Sequence, residues 1–320
     1  MSHAETIPVR VVAIEQVTPQ VKHFRLAAVS GELLPPFSGG SHIVVVMAAP
    51  DRIHRNPYSL VSSPSQLEHY EIGVCRMEDS RGGSHFMHDQ VQVGSVLQIA
   101  HPVNLFALDK IARKHLLVAG GIGITPFMAH LHDLHTGTVP YELHYAVRSL
   151  EHAAFAKELL LREAKSLRLY DRSAGERIDF NVLLDRQPLG THLYVCGSAA
   201  LIQDALDTAR AWGWPDSHLH WEQFSAPPVG EAFDVHLAKT NTDVHVVPDQ
   251  SLLESIEAAG VEVPYLCRGG VCGFCRTDVL ELEGELIHND HYLSDEEKAS
   301  GKVIMPCVSR ARCKKLVLDL

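Results

Sequence analysis

The sequence has no run of about 18 apolar residues, the length a membrane-spanning helix needs, so a soluble protein is expected. It is also short of positive charge: 28 Lys and Arg face 39 Asp and Glu, for a formal net charge of −11. Phosphate backbones are bound by clustered Lys and Arg, and this balance excludes a general nucleic-acid binder. No basic stretch followed by an apolar run opens Met1-Ser2-His3-Ala4-Glu5-Thr6, so no secretory signal is read and a cytoplasmic address is expected. Internal repeats and low-complexity tracts are missing. Among 21 histidines there is no His-Glu-x-x-His, and no nucleophile triad is recognisable, which removes the common hydrolytic chemistries. Neither Cys-x-His nor Cys-x2-His occurs, so a Rieske-type centre has no ligand set here.

What is present falls into three stretches, as 320 residues suggest on size alone. In the first hundred residues short apolar runs (Val11 to Ile14, Phe24 to Leu26, Ile43 to Met47, Tyr70 to Cys75) alternate with Gly, Pro and Ser turns, which predicts an antiparallel barrel or sandwich. From 112 the texture changes. His115 to Ala119 reads as a buried strand running into glycines and a helix. Further strands at 141–147 and 192–196 then alternate with helical stretches at 153–165 and 201–212, which predicts a parallel α/β domain over 112–224. Ser225-Ala226-Pro227-Pro228-Val229-Gly230 is small and uncharged, as a linker should be, and 225–231 is taken as one. The remainder, 232–320, predicts a small α+β domain, and from Phe233 onward it carries 9 Lys and Arg against 15 Asp and Glu.

Seven cysteines crowd unevenly. Cys267, Cys272 and Cys275 form Cys-x4-Cys-x2-Cys, and Cys307 follows, which is the spacing of a plant-type 2Fe-2S cluster. A zinc knuckle would more often pair its cysteines as two Cys-x2-4-Cys units. The interposed Gly269, Gly270 and Gly273 let the backbone wrap closely round the sulfurs. In the middle stretch, Gly120-Gly121-Ile122-Gly123-Ile124-Thr125-Pro126 sits between a strand and a helix and could face a dinucleotide, although alone it is equally a tight turn. Cys196-Gly197, at the end of another strand, would stand on the same carboxyl edge of a parallel sheet and strengthens the dinucleotide reading. In the first stretch, Arg55-Asn56-Pro57-Tyr58-Ser59-Leu60 supplies a cation, an aromatic face and a hydroxyl suited to a flavin, and Arg81-Gly82-Gly83-Ser84 suits a phosphate. Either could also be a surface turn.

Taken together, these motifs, with His220-Trp221-Glu222-Gln223-Phe224 and Cys307-Val308-Ser309-Arg310-Ala311, resemble the phthalate dioxygenase reductase type of the ferredoxin-NADP reductase superfamily over nearly the whole chain. The resemblance implies an FMN-binding β-barrel (1–111), an NAD-binding α/β domain (112–224) and a β-grasp ferredoxin domain (232–320). It implies FMN held by Arg55, Tyr58, Ser59, Gly73, Val74, Cys75, Gly82, Gly83 and Ser84, with Thr125 and Phe224 bordering the ring. Tyr58, Ser59 and Thr125 would serve the hydride transfer. NADH would lie on Gly121, Ile122, Gly123, Cys196 and Gly197, with Arg148 and Asp171 near its ribose, and Cys267, Cys272, Cys275 and Cys307 would hold the cluster. The implied partner is a terminal Rieske non-haem iron oxygenase acting on an aromatic acid or a methylated or quaternary amine, and the reductase itself is expected to be a monomer. A di-iron or haem monooxygenase partner, or a non-catalytic redox sensor, is the alternative. The sequence departs from the family pattern at one place: the usual Arg-x-Tyr-Ser becomes Arg55-Asn56-Pro57-Tyr58-Ser59, with Arg one residue further from Tyr.

Overall fold

Alternation such as Val9-Arg10-Val11, with both valines fully buried, is what a strand with one wet face requires, and the N-terminal region is built from such strands. The structure, a computed structural model, describes residues 6–50, 52–224 and 229–320. Strands β1 (Ile7–Thr18), β2 (Val21–Ala28), β3 (Ser41–Ala48), β4 (Ile53–Ser59) and β5 (Tyr70–Cys75) precede helix α1 (Gly83–Asp89), β6 (Val96–Ile99) and β7 (Val103–Asn104). They pair antiparallel in the order β4-β3-β6-β1-β2-β5, with β7 on β3. A bridge between Leu60 and Ile72 brings the two ends of this sheet together, and the interior is filled by Phe24, Ile43, Val45, Met47 and Met87.

The middle of the chain carries β8 (Lys114–Gly120), α2 (Thr125–Thr136), β9 (Tyr141–Val147), α3 (Ala156–Arg162), β10 (Leu167–Asp171), α4 (Phe180–Leu184), β11 (Thr191–Cys196), α5 (Ala199–Ala211) and β12 (Leu219–Glu222). The five strands are parallel in the order β10-β9-β8-β11-β12. Leu117, Ala119, Tyr194 and Cys196 face one core, and Leu116, Val118, Leu193 and Val195 face the other, as a sheet covered on both sides demands. Helix α3 is shorter than the sequence suggested. Phe155 takes a left-handed conformation (φ 61°) and stops helix formation before Ala156. Barrel residues Val21, Val61 and Phe106 pack in the same core as Leu117, Phe127 and Tyr194, so barrel and α/β sheet form one compact unit, residues 6–224 among those described.

The second compact unit, residues 229–320 among those described, contains β13 (Phe233–Leu237), β14 (Thr242–Val246), α6 (Leu252–Ala258), β15 (Thr277–Ile287), α7 (Asp295–Ser300), β16 (Val303–Ile304) and β17 (Arg310–Leu318). Its sheet order is β14-β13-β17-β15-β16, with β13 and β17 parallel and the other pairs antiparallel. Helix α6 starts with a full capping box, Ser251 and Glu254 each bonding the other's backbone N–H. Of the linker taken at 225–231, residues 225–228 lie outside the described residues. Glu231 is tied into this unit by buried Arg310, whose Nη2 donates to the Glu231 carbonyl at 2.9 Å.

Candidate functional site

Strand β4 sets one wall of the first site. It pairs with β3 in continuous register, Met47 with His54, Val45 with Asn56 and Ile43 with Tyr58, so His54, Asn56 and Tyr58 share one face. Arg55 pairs with Val46 and lies on the other. The Gly82-Gly83 turn packs directly on the first face. A methyl group at Gly82 would come within 2.7 Å of His54 Nε2, and one at Gly83 within 2.4 Å of Asn56 Nδ2. Gly82 has φ 116°, a conformation open to glycine. Ser84 accepts a hydrogen bond from Met77 N at 3.2 Å and lies in the first turn of α1. The Arg55 that the resemblance assigned to FMN is thus placed away from this turn, because the extra residue before Tyr58 is absorbed without a bulge and alternation turns its side chain over. Asn56, which the sequence reading passed over, stands two residues before Tyr58 and donates to Tyr58 Oη at 3.4 Å.

Tyr58 is half-buried, and desolvation pushes its phenol up to about 12. Ser59 is 3% exposed, and its Oγ has no hydrogen-bond partner among the described residues. A buried hydroxyl without a partner is costly and points to a ligand polar group. A methyl at Gly73 would meet Thr125 Cγ2 at 3.0 Å and Phe155 at 3.2 Å, so β5 and the start of α2 are in contact. Thr125 is 2% exposed and donates to Ile122 O at 2.9 Å. The Val74 carbonyl bonds His88 at 2.9 Å. Burial pushes the Cys75 thiol up, against the opposing charge of Arg148.

Strand order reverses between β8 and β11, and in open parallel sheets ligands bind at the carboxyl ends of the strands flanking such a reversal. Ala119 pairs with Cys196 there. A methyl at Gly123 would lie 2.2 Å from the Cys196 carbonyl oxygen, and one at Gly197 3.1 Å from Gly120 Cα. The Gly120–Gly123 turn and Cys196-Gly197 are therefore one surface, too tight for any side chain between them. Cys196 is fully buried, and desolvation, then the charge of Glu222, raises its pKa well above the ordinary thiol value. Asp171 stands at the end of β10, its carboxylate accepting from Ser173 N at 2.8 Å and Ser173 Oγ at 2.6 Å. Phe224, just beyond β12, is 41% exposed.

The second site is the cysteine loop. Its four sulfurs fall into two pairs: Cys272 hydrogen-bonds Cys267, and the Cys275 and Cys307 sulfurs are 3.2 Å apart. The Cys272 thiol, with the backbone N–H groups of Gly269, Val271 and Cys272, holds the Cys267 thiol below its ordinary value, and Gly269 N donates to its sulfur at 3.3 Å. In the other pair Cys275 is held low by Cys307. Arg268, Gly270 and Gly273 all have positive φ, which curls the loop and turns its N–H groups inward. Buried Arg268 is locked by two bonds to Glu257 at 2.7 and 2.8 Å. Among the described residues no three His, Cys, Asp or Glu side chains surround one point suited to a single ion. Two thiol pairs fit instead a group with two irons, each taking two thiolates. The segment from His288 to Leu293, unmarked in the sequence reading, forms the remaining wall.

An antiparallel barrel sharing a core with a parallel nucleotide-type sheet, and a separate unit with paired thiols in a glycine loop, define a modular electron-transfer reductase. Residues 235–312 match the 2Fe-2S iron-sulfur cluster binding domain family, and 101–219 match the dimethylamine monooxygenase subunit DmmA-like N-terminal domain. The chain is 46% identical to the carnitine monooxygenase reductase subunit of Acinetobacter baumannii, over 100% of this chain and 99% of that one. It is 44% identical to the heme-dependent oxidative N-demethylase beta subunit of Ectopseudomonas mendocina, over 98% and 99%. The solved structure of phthalate dioxygenase reductase, described as modular for electron transfer from pyridine nucleotides to a 2Fe-2S centre, superposes with a TM-score of 0.86 at 33% identity, covering 98% of each chain. The chain belongs to the phthalate dioxygenase reductase type of oxygenase reductases. Among its described residues no helix is long and apolar enough to cross a membrane.

Proposed function

We propose that this chain oxidises NADH and delivers the electrons singly to a terminal oxygenase of the Rieske type, acting on a methylated or quaternary amine. When bound, nicotinamide and FMN supply hydride transfer, and the 2Fe-2S cluster supplies one-electron transfer outward. The observation that carries the reading is the pairing of the four thiols in one unit, with a buried Ser59 hydroxyl in the other that has no hydrogen-bond partner among the described residues.

The chain's own residues bind and orient. The backbone of Gly121, Ile122, Gly123, Cys196 and Gly197 would make the floor for the dinucleotide, and Asp171, at the end of β10, would reach its ribose, which suits a free 2′-hydroxyl and hence NADH. Ser59 Oγ offers a hydrogen bond to the flavin ring, Tyr58 an aromatic face, and Gly73, Val74 and Cys75 backbone polar groups. Thr125 and Phe224 would border the ring. We assign the FMN phosphate to Gly82, Gly83 and Ser84 with Asn56 in place of Arg55, on the contact between Asn56 and Gly83. Cys267 with Cys272, and Cys275 with Cys307, would each hold one iron.

The amine reading rests on the carnitine and N-demethylase relatives. The second of these is named as heme-dependent, and it supports a haem oxygenase partner as the second reading. Anaerobic titration tests the core of the proposal: full reduction should take about three electrons, roughly 1.5 NADH per chain, two for the flavin and one for the cluster. A purified chain that binds iron-sulfide and flavin but leaves NADH unoxidised would instead support the redox-sensor reading.

A further inference from the structure

The segment between the third and fourth cysteines joins both cysteine-bearing loops. A methyl at Gly270 would lie 2.6 Å from Val308 and 3.1 Å from Asp290 Cα, and one at Gly273 would lie 2.2 Å from the Tyr292 ring. His291 N donates to Gly270 O at 3.0 Å. Toward the Cys307 side, Asn289 donates from its side chain to Val308 O and from its backbone to Ser309 Oγ, each at 3.2 Å. The centre of this segment is a carboxylate with no solvent exposure. Asp290 Oδ2 accepts from Leu293 N at 2.9 Å, Oδ1 accepts from Ser309 Oγ at 3.2 Å, and His288 Nδ1 approaches Oδ1 at 3.4 Å.

A buried carboxylate is retained only where its acceptor capacity is used: Leu293 N and His288 hold Asp290 within the segment's own turn, and Ser309 Oγ ties that turn to the residues that follow Cys307. We infer that Asp290 is a positioning residue for the iron-sulfur site: it staples residues 288–293 across the glycine loop, holding the Cys267–Cys275 loop and Cys307 in register and closing the sulfurs from solvent. The inference rests on the cluster reading above. Asp290 touches no cysteine; it acts through Gly270, Gly273 and Ser309.

Outer-shell partners of metal ligands change affinity by about 10- to 100-fold when removed. In the full-length chain, Asp290→Ala should therefore lose visible cluster absorbance to an iron chelator roughly tenfold faster than wild type, and its visible circular dichroism and reduced-state EPR line shape should change. Ser309→Ala removes one contact of three and should fall between the two. Flavin content stays at the wild-type level in both variants, since the flavin lies in the other unit. Asp290→Asn keeps the shape while replacing one acceptor by a donor, and should still retain a cluster, with an altered EPR signature, if Asp290→Ala fails to fold. Wild-type chelation rates with unchanged dichroism and EPR in Asp290→Ala or Asp290→Asn would overturn the assignment. A wild-type chain that takes up no iron and sulfide would overturn the cluster reading itself, a result distinct from any behaviour of Asp290.

Discussion

Asn56 occupies the place, two residues before Tyr58, where the Arg-x-Tyr-Ser pattern puts its arginine. An amide there gives up a formal charge but keeps two donors beside the Gly82-Gly83 turn. Losing them should cost about 1 kcal/mol, so Asn56→Ala should weaken FMN binding to the apoprotein by roughly five- to tenfold, read by flavin fluorescence. Arg55→Ala, on the opposite face of β4, should leave the affinity within about twofold. The opposite ranking would return the anchor to Arg55. The sequence made the shifted spacing visible, but not its consequence. Whether an extra residue becomes a bulge or turns a side chain over depends on pairing with β3, which is a tertiary fact.

Helix α2 holds the two halves of the flavin and nucleotide unit together. Thr125 at its start meets Gly73, while His130 and Asp133 further along grip the 39–40 loop of the barrel. His130 is fully buried, its Nε2 lies 2.8 Å from Phe106 O, and desolvation lowers its pKa to about 4. Being lowered, it stays neutral in the fold while the unfolded chain takes up a proton below about 6.5. Its contribution is thus complete above pH 6.5 and is lost as pH falls toward 4, at up to about 1.4 kcal/mol per pH unit. Thermal melts of the flavin-retaining unit should drop across that window, and His130→Gln should flatten the slope. A melting temperature level between pH 6.5 and 4 would refute this. The strands and helices of this unit were legible because apolar runs and glycine punctuation are local signals. The short α3 was not, since nothing in Ala153-Ala154-Phe155 announces a left-handed Phe155 packed against Gly73. Nor was the His288 to Leu293 wall, whose role comes from contacts with loops on both sides of it.

At the scale of the molecule, chemistry is divided between two compact units, with flavin and nucleotide residues in one and the thiol pairs in the other. Cysteine spacing marked the four thiols that the second unit brings together in two pairs, because the thiols are themselves the signal, but not the wall beside them. The first was legible only as scattered segments, which barrel closure and the strand-order reversal bring together. The central claim is that electrons pass from the first unit through the paired thiols' cluster to the oxygenase. Cys272→Ser tests it most directly, by removing one member of the Cys267 pair from a unit with its own core. The account predicts a variant that keeps FMN, oxidises NADH and reduces ferricyanide at the wild-type rate, yet lacks cluster absorbance and turns over a terminal oxygenase at a few per cent of wild type or less. Oxygenase turnover persisting at the wild-type rate without the cluster would contradict it, making the flavin the direct donor.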